Sequence, residues 1–238
     1  KGYEIAHEQF RLPIAPASRS FSVQGPALQC SENGNLLSVQ SSRVAFVFDK
    51  STGLVTSYKV KGTEYFHEGF GIQPNFWRAP NDNDYGSQMP KRLQIWKQSS
   101  KNFNVVDASL AMDGKDAVLK VSYLLAAGNL YIATYRIHPS GVVKANYTFT
   151  STEMEAAKTE ASEATLMATF TPGNEAIRKE SSKLVVPRIG VRFRLPAEME
   201  QVTYFGRGPE ENYCDRNNGT LVGEYQATAE QMYFPYVR

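Results

Sequence analysis

Short runs of alternating apolar and polar residues, separated by Gly, Pro, Asn and Asp clusters, constrain this chain more than any other feature. Arg188-Ile189-Gly190-Val191-Arg192-Phe193-Arg194-Leu195 alternates strictly. Ile189, Val191, Phe193 and Leu195 fall on one face and the arginines on the other, which predicts a half-buried strand with one wet face. Val44 to Phe48, the turn cluster Asp49-Lys50-Ser51-Thr52-Gly53, and Leu54 to Tyr58 predict a hairpin. Ala117 to Leu125, Leu130 to Ile137 and Val142 to Thr150 predict a meander, with turns at Gly128-Asn129 and Pro139-Ser140-Gly141. Strands at this spacing argue for an antiparallel sandwich over βαβ units. Glu153 to Ala164 has helical composition, but its apolar residues are alanines and one Met, so it is expected to be a surface excursion or a short helix.

Composition removes several function classes. The 238 residues carry 26 Lys and Arg against 24 Asp and Glu, a formal +2. There is no basic footprint for nucleic acid and no Lys/Arg run to supply a local one. No window approaches the 18 apolar residues of a membrane span, and Lys-Gly-Tyr-Glu-Ile at the start is not the apolar core of a signal peptide. Cys30 and Cys214 stand far apart, and with only His7, His67 and His138 beside them no zinc cluster forms on paper; reduced, mostly buried thiols are expected, and no metal or cofactor site. Residues 1–12 alternate like a single strand before Pro13, Pro16 and the stretch Ala15 to Ser20 break the pattern in the manner of a linker. A lone strand needs a neighbouring sheet. Either this strand joins the following sheet or it is the last strand of a domain cut off upstream.

Two segments combine polar, aromatic and Gly/Pro residues. The first, Gln73 to Gly86, places Asn81, Asp82, Asn83 and Asp84 consecutively beside Phe76, Trp77 and Tyr85. Carboxylates and amides that bond hydroxyls, next to an aromatic face for the apolar side of a pyranose, make a sugar site. The competing reading is an Asx-rich loop that caps its own backbone, with Arg78 paired to Asp82 or Asp84. A calcium loop is excluded by the missing spaced pattern and terminal Glu. The second segment, Tyr204 to Arg216, contains Gly206-Arg207-Gly208, but without a third glycine or a βαβ setting it is no dinucleotide loop. Glu210 and Glu211 are adjacent, so they point apart and make a poor glycosidase pair, which needs carboxyls facing each other across about 5–10 Å. A turn, with these charges solvated or bonded to Arg207 and Arg216, is the plainer expectation. No Ser-His-Asp or Cys-His arrangement can be assembled. His138, before Pro139 at a strand end, reads as structural, and His67-Glu68 is the one histidine site with functional potential.

At these segments the chain resembles a known family. Phe76-Trp77-Arg78-Ala79-Pro80-Asn81-Asp82-Asn83-Asp84-Tyr85-Gly86 is similar to its F-x-R-A-P-x-D-N-D-x-G stretch, and Phe205 to Arg216 to its G-x-G-P-x-E-N-Y-x-D-R stretch. Both belong to the C-terminal small-chain domain of LacZ-type β-galactosidases of glycoside hydrolase family 2. The turn Asp49 to Leu54 and the closing Met232-Tyr233-Phe234-Pro235-Tyr236-Val237 agree in order and spacing, so that the resemblance covers about residues 28–238.

The resemblance implies an all-β, large antiparallel supersandwich over residues 21–238, galactose-mutarotase-like and C-terminally incomplete, with edges left unpaired, and makes residues 1–20 the tail strand and linker of a preceding immunoglobulin-like domain. It implies a parent enzyme that hydrolyses terminal β-galactosides with retention through two glutamates on other domains, where Mg²⁺ and Na⁺ ligands would also lie. This chain would then have no catalytic residue of its own and would be inactive alone. It would supply a wall of the carbohydrate site through Trp77, Arg78, Asn81, Asp82, Asn83, Asp84, Tyr85 and Gly86, with a loop from Gly86 to Pro90 that Pro90 stiffens. Trp77 departs from the smaller residue of the best-known members. Gly206, Gly208, Pro209, Glu211, Asn212, Tyr213, Asp215 and Arg216 would be a structural motif. The implied partners are a β-galactoside and the parent's other domains, in a soluble cytoplasmic or periplasmic protein that is itself a homo-oligomer, with neither nucleic acid nor membrane. Two alternatives from other classes are a stand-alone sugar-binding module with an aromatic shelf at Phe76, Trp77 and Tyr85, and a mutarotase-type epimerase using His67 and Glu210.

Overall fold

Every second side chain of a strand points to the same face, and the computed structural model follows that rule through most of residues 24–150. The structure describes residues 7–14, 24–126, 128–150, 185–212 and 217–233. Among them antiparallel sheet dominates and helix is confined to short segments, so the chain is all-β. It divides into two compact units: Ser22–Leu195 with Tyr236–Arg238, and Lys1–Phe21 with Pro196–Pro235.

The larger unit is built on two meanders. One sheet runs in the order β1 (Gln29–Asn33), β2 (Leu36–Gln40), β3 (Val44–Asp49), β4 (Leu54–Val60) and β5 (Thr63–Glu64). The other holds β7 (Phe103–Asp113), β8 (Asp116–Leu125), β9 (Leu130–Ile137) and β10 (Val143–Thr150), in the order β10-β9-β8-β7. The expected hairpin is β3–β4, closed by Gly53 N–H donating to Asp49 O at 2.8 Å, and the expected meander is β8–β9–β10. Val44, Phe46 and Phe48 of β3 face inward, as do Leu119, Val121 and Tyr123 of β8 and Tyr131, Ala133 and Tyr135 of β9.

Cross-strand pairing sets Val121 opposite small Ala133, between the larger pairs Leu119–Tyr135 and Tyr123–Tyr131. Alternating bulk lets the two inner faces interdigitate. Phe46 of one sheet lies 5.7 Å from Tyr135 of the other, ring to ring. The Tyr123 hydroxyl donates to Gly53 O at 3.1 Å and the Tyr58 hydroxyl to Gly141 O at 2.5 Å, so that phenols tie each sheet to the other's turns. Burial pushes the Tyr123 phenol far above its usual range, and each such ring contributes roughly 1.5–3 kcal/mol of hydrophobic stabilisation.

Between the two meanders the chain returns as β6 (Gln73–Asn75), which pairs with β11 (Gly190–Arg192), and then forms three short helices: α1 (Asp82–Gly86), α2 (Met89–Arg92) and α3 (Gln94–Ser99). Gly71 sets the approach to β6. A Cβ there would lie 1.5 Å from Val55 O, so only glycine brings Phe70 and Ile72 this close to β4.

Two expectations are corrected. The 188–195 segment forms only the three-residue strand β11, and Ile189, Phe193 and Leu195 are 53%, 48% and 44% exposed, while Val191 alone of the four is half-buried, Phe193 keeping a ring contact with Phe66 at 6.0 Å. Its partner β6 is only three residues long, so beyond Arg192 no ladder enforces the alternation, and Arg192 turns inward instead. Residues 7–14 are not a strand: Phe10, Leu12 and Ile14 are 76%, 67% and 72% exposed. The side chain of Gln9 replaces the expected pairing, donating to Val222 O and accepting from Val222 N, both at 2.7 Å. The Glu153–Ala164 excursion lies outside the described residues.

In the smaller unit β12 (Gln201–Gly208) pairs antiparallel with β13 (Leu221–Thr228), with Tyr204 opposite Tyr225 and Gly206 opposite Gly223.

Candidate functional site

The acid-amide segment begins where β6 ends. Asn75 Nδ2 donates to Trp77 O at 2.8 Å, and Phe76 N–H donates to the Ser100 hydroxyl at 2.7 Å, which itself donates to Trp96 O at 2.9 Å. Phe76 is wholly buried, edge-on to Tyr131 at 5.2 Å and beside Trp96 and Phe149. Met89, Leu93 and Trp96, at spacings of four and three, put the inner face of α2 and α3 into this aromatic cluster. The stretch from Gly86 to Pro90 is therefore a turn leading into α2, with Met89 buried and Pro90 in the first helical turn.

Four side chains define α1. Asn81 is its N-cap: Asn81 Oδ1 accepts from Asp84 N–H at 3.0 Å while Asp84 Oδ2 accepts from Asn81 N–H at 3.0 Å, a reciprocal capping box. Arg78 closes on the same carboxylate with a two-pronged fork, Nη1 to Oδ2 at 2.5 Å and Nη2 to Oδ1 at 2.7 Å. Asp84 is buried, and its oxygens serve the helix start and Arg78. The self-capping reading of this segment thus describes Asn81, Asp84 and Arg78. Asp82, Asn83, Tyr85 and Gly86 are exposed along α1, with Tyr85 at 49%. Trp77 is half-buried against the core with the Lys97 ammonium 5.8 Å from its ring. With Phe76 buried, Phe76, Trp77 and Tyr85 do not form a contiguous shelf. What α1 offers a ligand is one carboxylate, one amide and one phenol on a rigid base, suited to hydroxyl groups.

The second segment closes the end of β12. Arg207 Nη1 donates to Asn217 O at 2.7 Å and Thr220 O at 2.8 Å, and Asn212 Nδ2 donates to Arg207 O at 3.1 Å. A Cβ on Gly208 would lie 2.4 Å from the Tyr204 hydroxyl and 2.8 Å from the Tyr225 ring, so glycine lets this tyrosine pair, 5.5 Å between centroids, cover the turn. The Gly208–Pro209 peptide is cis, Gly206 is half-buried opposite Gly223, and Glu211 is half-buried. Arg207 thus engages backbone carbonyls, and Glu210 is exposed to solvent. Tyr213, Asp215 and Arg216 lie outside the described residues. Sequence reading did not anticipate the groove of about 920 Å³ in this unit, lined by Gln9, Phe10, Arg11, Phe205, Arg207 and Val222; long-range pairing through a glutamine side chain leaves no signal in local pattern.

His67 begins a short turn with its Nε2 3.5 Å from the exposed Glu68 carboxylate. His138 Nδ1 lies 2.8 Å from Asp116, which also holds Arg136, a structural cluster at the end of β8 and β9. Cys30 has its Sγ 3.4 Å from Met112 Sδ, and burial pushes its thiol up. Among the described residues no group of three or more His, Cys, Asp or Glu is placed to hold a metal ion, and no helix is long and apolar enough to cross a membrane.

Residues 40–238 match the family model described as the β-galactosidase small chain. The chain is 30% identical over 239 residues to a β-galactosidase of Priestia megaterium, covering 100% of this chain and 20% of that protein. It is 26% identical over 241 residues to one of Kluyveromyces lactis and 28% over 240 to one of Lactococcus lactis, covering 99% of this chain and 21% and 22% of theirs. The chain spans about a fifth of the length of the curated relatives it matches.

Proposed function

Because the chain belongs to the β-galactosidase small-chain family, we propose that it is the accessory part of a β-galactosidase that hydrolyses terminal β-galactosides. In this reading Asp82, Asn83 and Tyr85 form part of the wall of the sugar site. The two glutamates of a retaining mechanism, and any Mg²⁺ or Na⁺, belong to the remainder of such an enzyme. One observation carries the reading: Asn81, Asp84 and Arg78 bond one another and hold α1 rigid, leaving Asp82, Asn83 and Tyr85 exposed. A sugar wall needs such a division, since groups that orient hydroxyls act best from a preorganised base. Trp77 supports the base from beneath rather than offering an open face.

The test is hydrolysis of a chromogenic β-galactoside by this chain, by the full-length parent, and by the parent carrying Asp82→Ala. The expected pattern is no turnover by the chain, turnover by the parent, and a fall of roughly tenfold in kcat/KM for the variant, the worth of one hydrogen bond to a charged group. Turnover by the purified chain, or an unchanged variant, overturns the proposal.

A further inference from the structure

The Arg188–Arg194 stretch carries charge that neither the sandwich nor the proposed sugar wall uses. We infer that Arg192 and Arg194, packed on the ring of Phe70, form a carboxylate-binding site. Arg192 is half-buried, and its Nη2 donates to two neutral acceptors, Gln73 Oε1 at 3.2 Å and Ser100 O at 3.1 Å. Its Nε is buried and has no hydrogen-bond partner among the described residues. None of the ion pairs among the described residues involves Arg188, Arg192 or Arg194. Instead two guanidiniums share one aromatic ring, their central carbons 5.7 Å (Arg192) and 4.3 Å (Arg194) from the Phe70 centroid.

Ring contact attracts each cation, but it leaves net charge uncancelled. Burial, and then the like charge of Arg194, pull the Arg192 pKa below its usual value, so the pair is a place where an anion would be stabilised. The geometry is also preset. Arg194 N–H donates to Phe70 O at 2.9 Å and Arg194 O accepts from His67 N–H at 3.0 Å, which pins both partners of the cluster by their backbones. Gly190 adds to the row, since a Cβ there would lie 3.6 Å from Arg188 Nε, which shows that Arg188 lies over its side of the strand. Guanidinium forks match the planar carboxylate, each bond being charge-assisted. Arg194 is exposed and supplies the open fork, while half-buried Arg192 adds its charge beside the same ring. A carboxylate can come from an acidic side chain of another polypeptide segment or from an acidic sugar, and the chemistry of recognition is shared.

The experiment is an NMR titration of the arginine Nε–Hε signals of the whole chain at constant ionic strength, with acetate, N-acetylglutamyl amide and galacturonate, against galactose and chloride as controls. Saturable shifts at Arg192 and Arg194 in the millimolar range are expected with the carboxylates and not with galactose or chloride. Arg194→Gln, at an exposed position, is expected to weaken binding at least fivefold with the tryptophan emission of the fold unchanged. Tighter binding of the glutamyl amide assigns a polypeptide source, tighter binding of galacturonate a sugar source, and equal binding a site that reads the carboxylate alone. Shifts that chloride reproduces, that fail to saturate, or that survive Arg194→Gln overturn the inference, as does the absence of any shift.

Discussion

Replacing Asp84 by Ala removes two things at once, the carboxylate held by the Arg78 fork and the acceptor of Asn81 N–H in the capping box. Removing one partner of a fully buried ion pair costs about 3–5 kcal/mol. Here the side chains are 28% and 12% exposed, so water relieves part of the loss; about 2 kcal/mol is the expected share of the pair. Loss of the cap adds about 1 kcal/mol, for a total near 3 kcal/mol. For a unit of this size each kcal/mol moves Tm by roughly 2–4 °C, so the melting midpoint should fall by about 6–12 °C. Trp77 and Trp96 are the chain's only two tryptophans, and both lie in the layer that Asp84 holds, so their fluorescence reports the transition locally. Arg78→Ala and the double variant complete a cycle, in which a coupling of about 1.5–2 kcal/mol is expected. A drop below about 2 °C, or additive single effects, would refute the reasoning and mean that Met89, Leu93 and Trp96 hold the helices without the ion pair.

Two further outcomes follow from the larger unit. Gly71→Ala puts a Cβ 1.5 Å from Val55 O and 2.8 Å from the Phe66 ring, neither of which is a flexible chain end, so a loss of about 3 kcal/mol or more is expected by thermal melting. The Glu64 carboxylate, raised by burial but lowered further by bonds from the Ser57 hydroxyl and the N–H groups of Tyr58, Phe66 and Tyr65, titrates below its usual range in the fold. Its contribution is therefore present above the unfolded value of about 4.3 and is lost as pH falls through the lower folded value; urea midpoints should fall with acidification over that window in the parent chain and be flatter in Glu64→Gln.

The parts of the fold legible in the sequence are those where a strand has a full-length neighbour. β3, β8 and β9 each pair along their length and bury one face, so Val44-Phe46-Phe48 and Tyr131-Ala133-Tyr135-Ile137 show the period of two that periodicity detects. Arg188 to Leu195 shows the same period and yet is mostly not strand, because the ladder ends after three residues and the arginines respond to Phe70 instead. The helices α2 and α3 were hidden for a different reason. Their apolar stripe is only Met89, Leu93 and Trp96, and Pro90 reads as a breaker until it is seen in the first turn, where its missing N–H costs nothing. At the candidate site both readings of Asn81 to Asp84 were open in sequence, since the same residue types cap a helix and bond a sugar hydroxyl. The choice between them depends on Arg78, whose approach to Asp84 is set by β6 and Ser100 rather than by local pattern.

That dependence sorts the segment's residues by what their substitution can reveal. Asn81, Asp84 and Arg78 are bonded to one another, so a change at any of them perturbs the helix and the ligand face together, and a lost activity would not separate the two. Asp82 and Asn83 stand on the same turn but exposed, and losing either side chain removes no contact of the aromatic cluster beneath. Surface substitutions of that kind usually change stability by no more than about 0.5 kcal/mol. A functional effect at Asp82 with an unchanged melting midpoint would therefore belong to the ligand face. An equal effect at Asp84 alone would belong to the scaffold, and the sugar-wall reading of α1 would then lose its support.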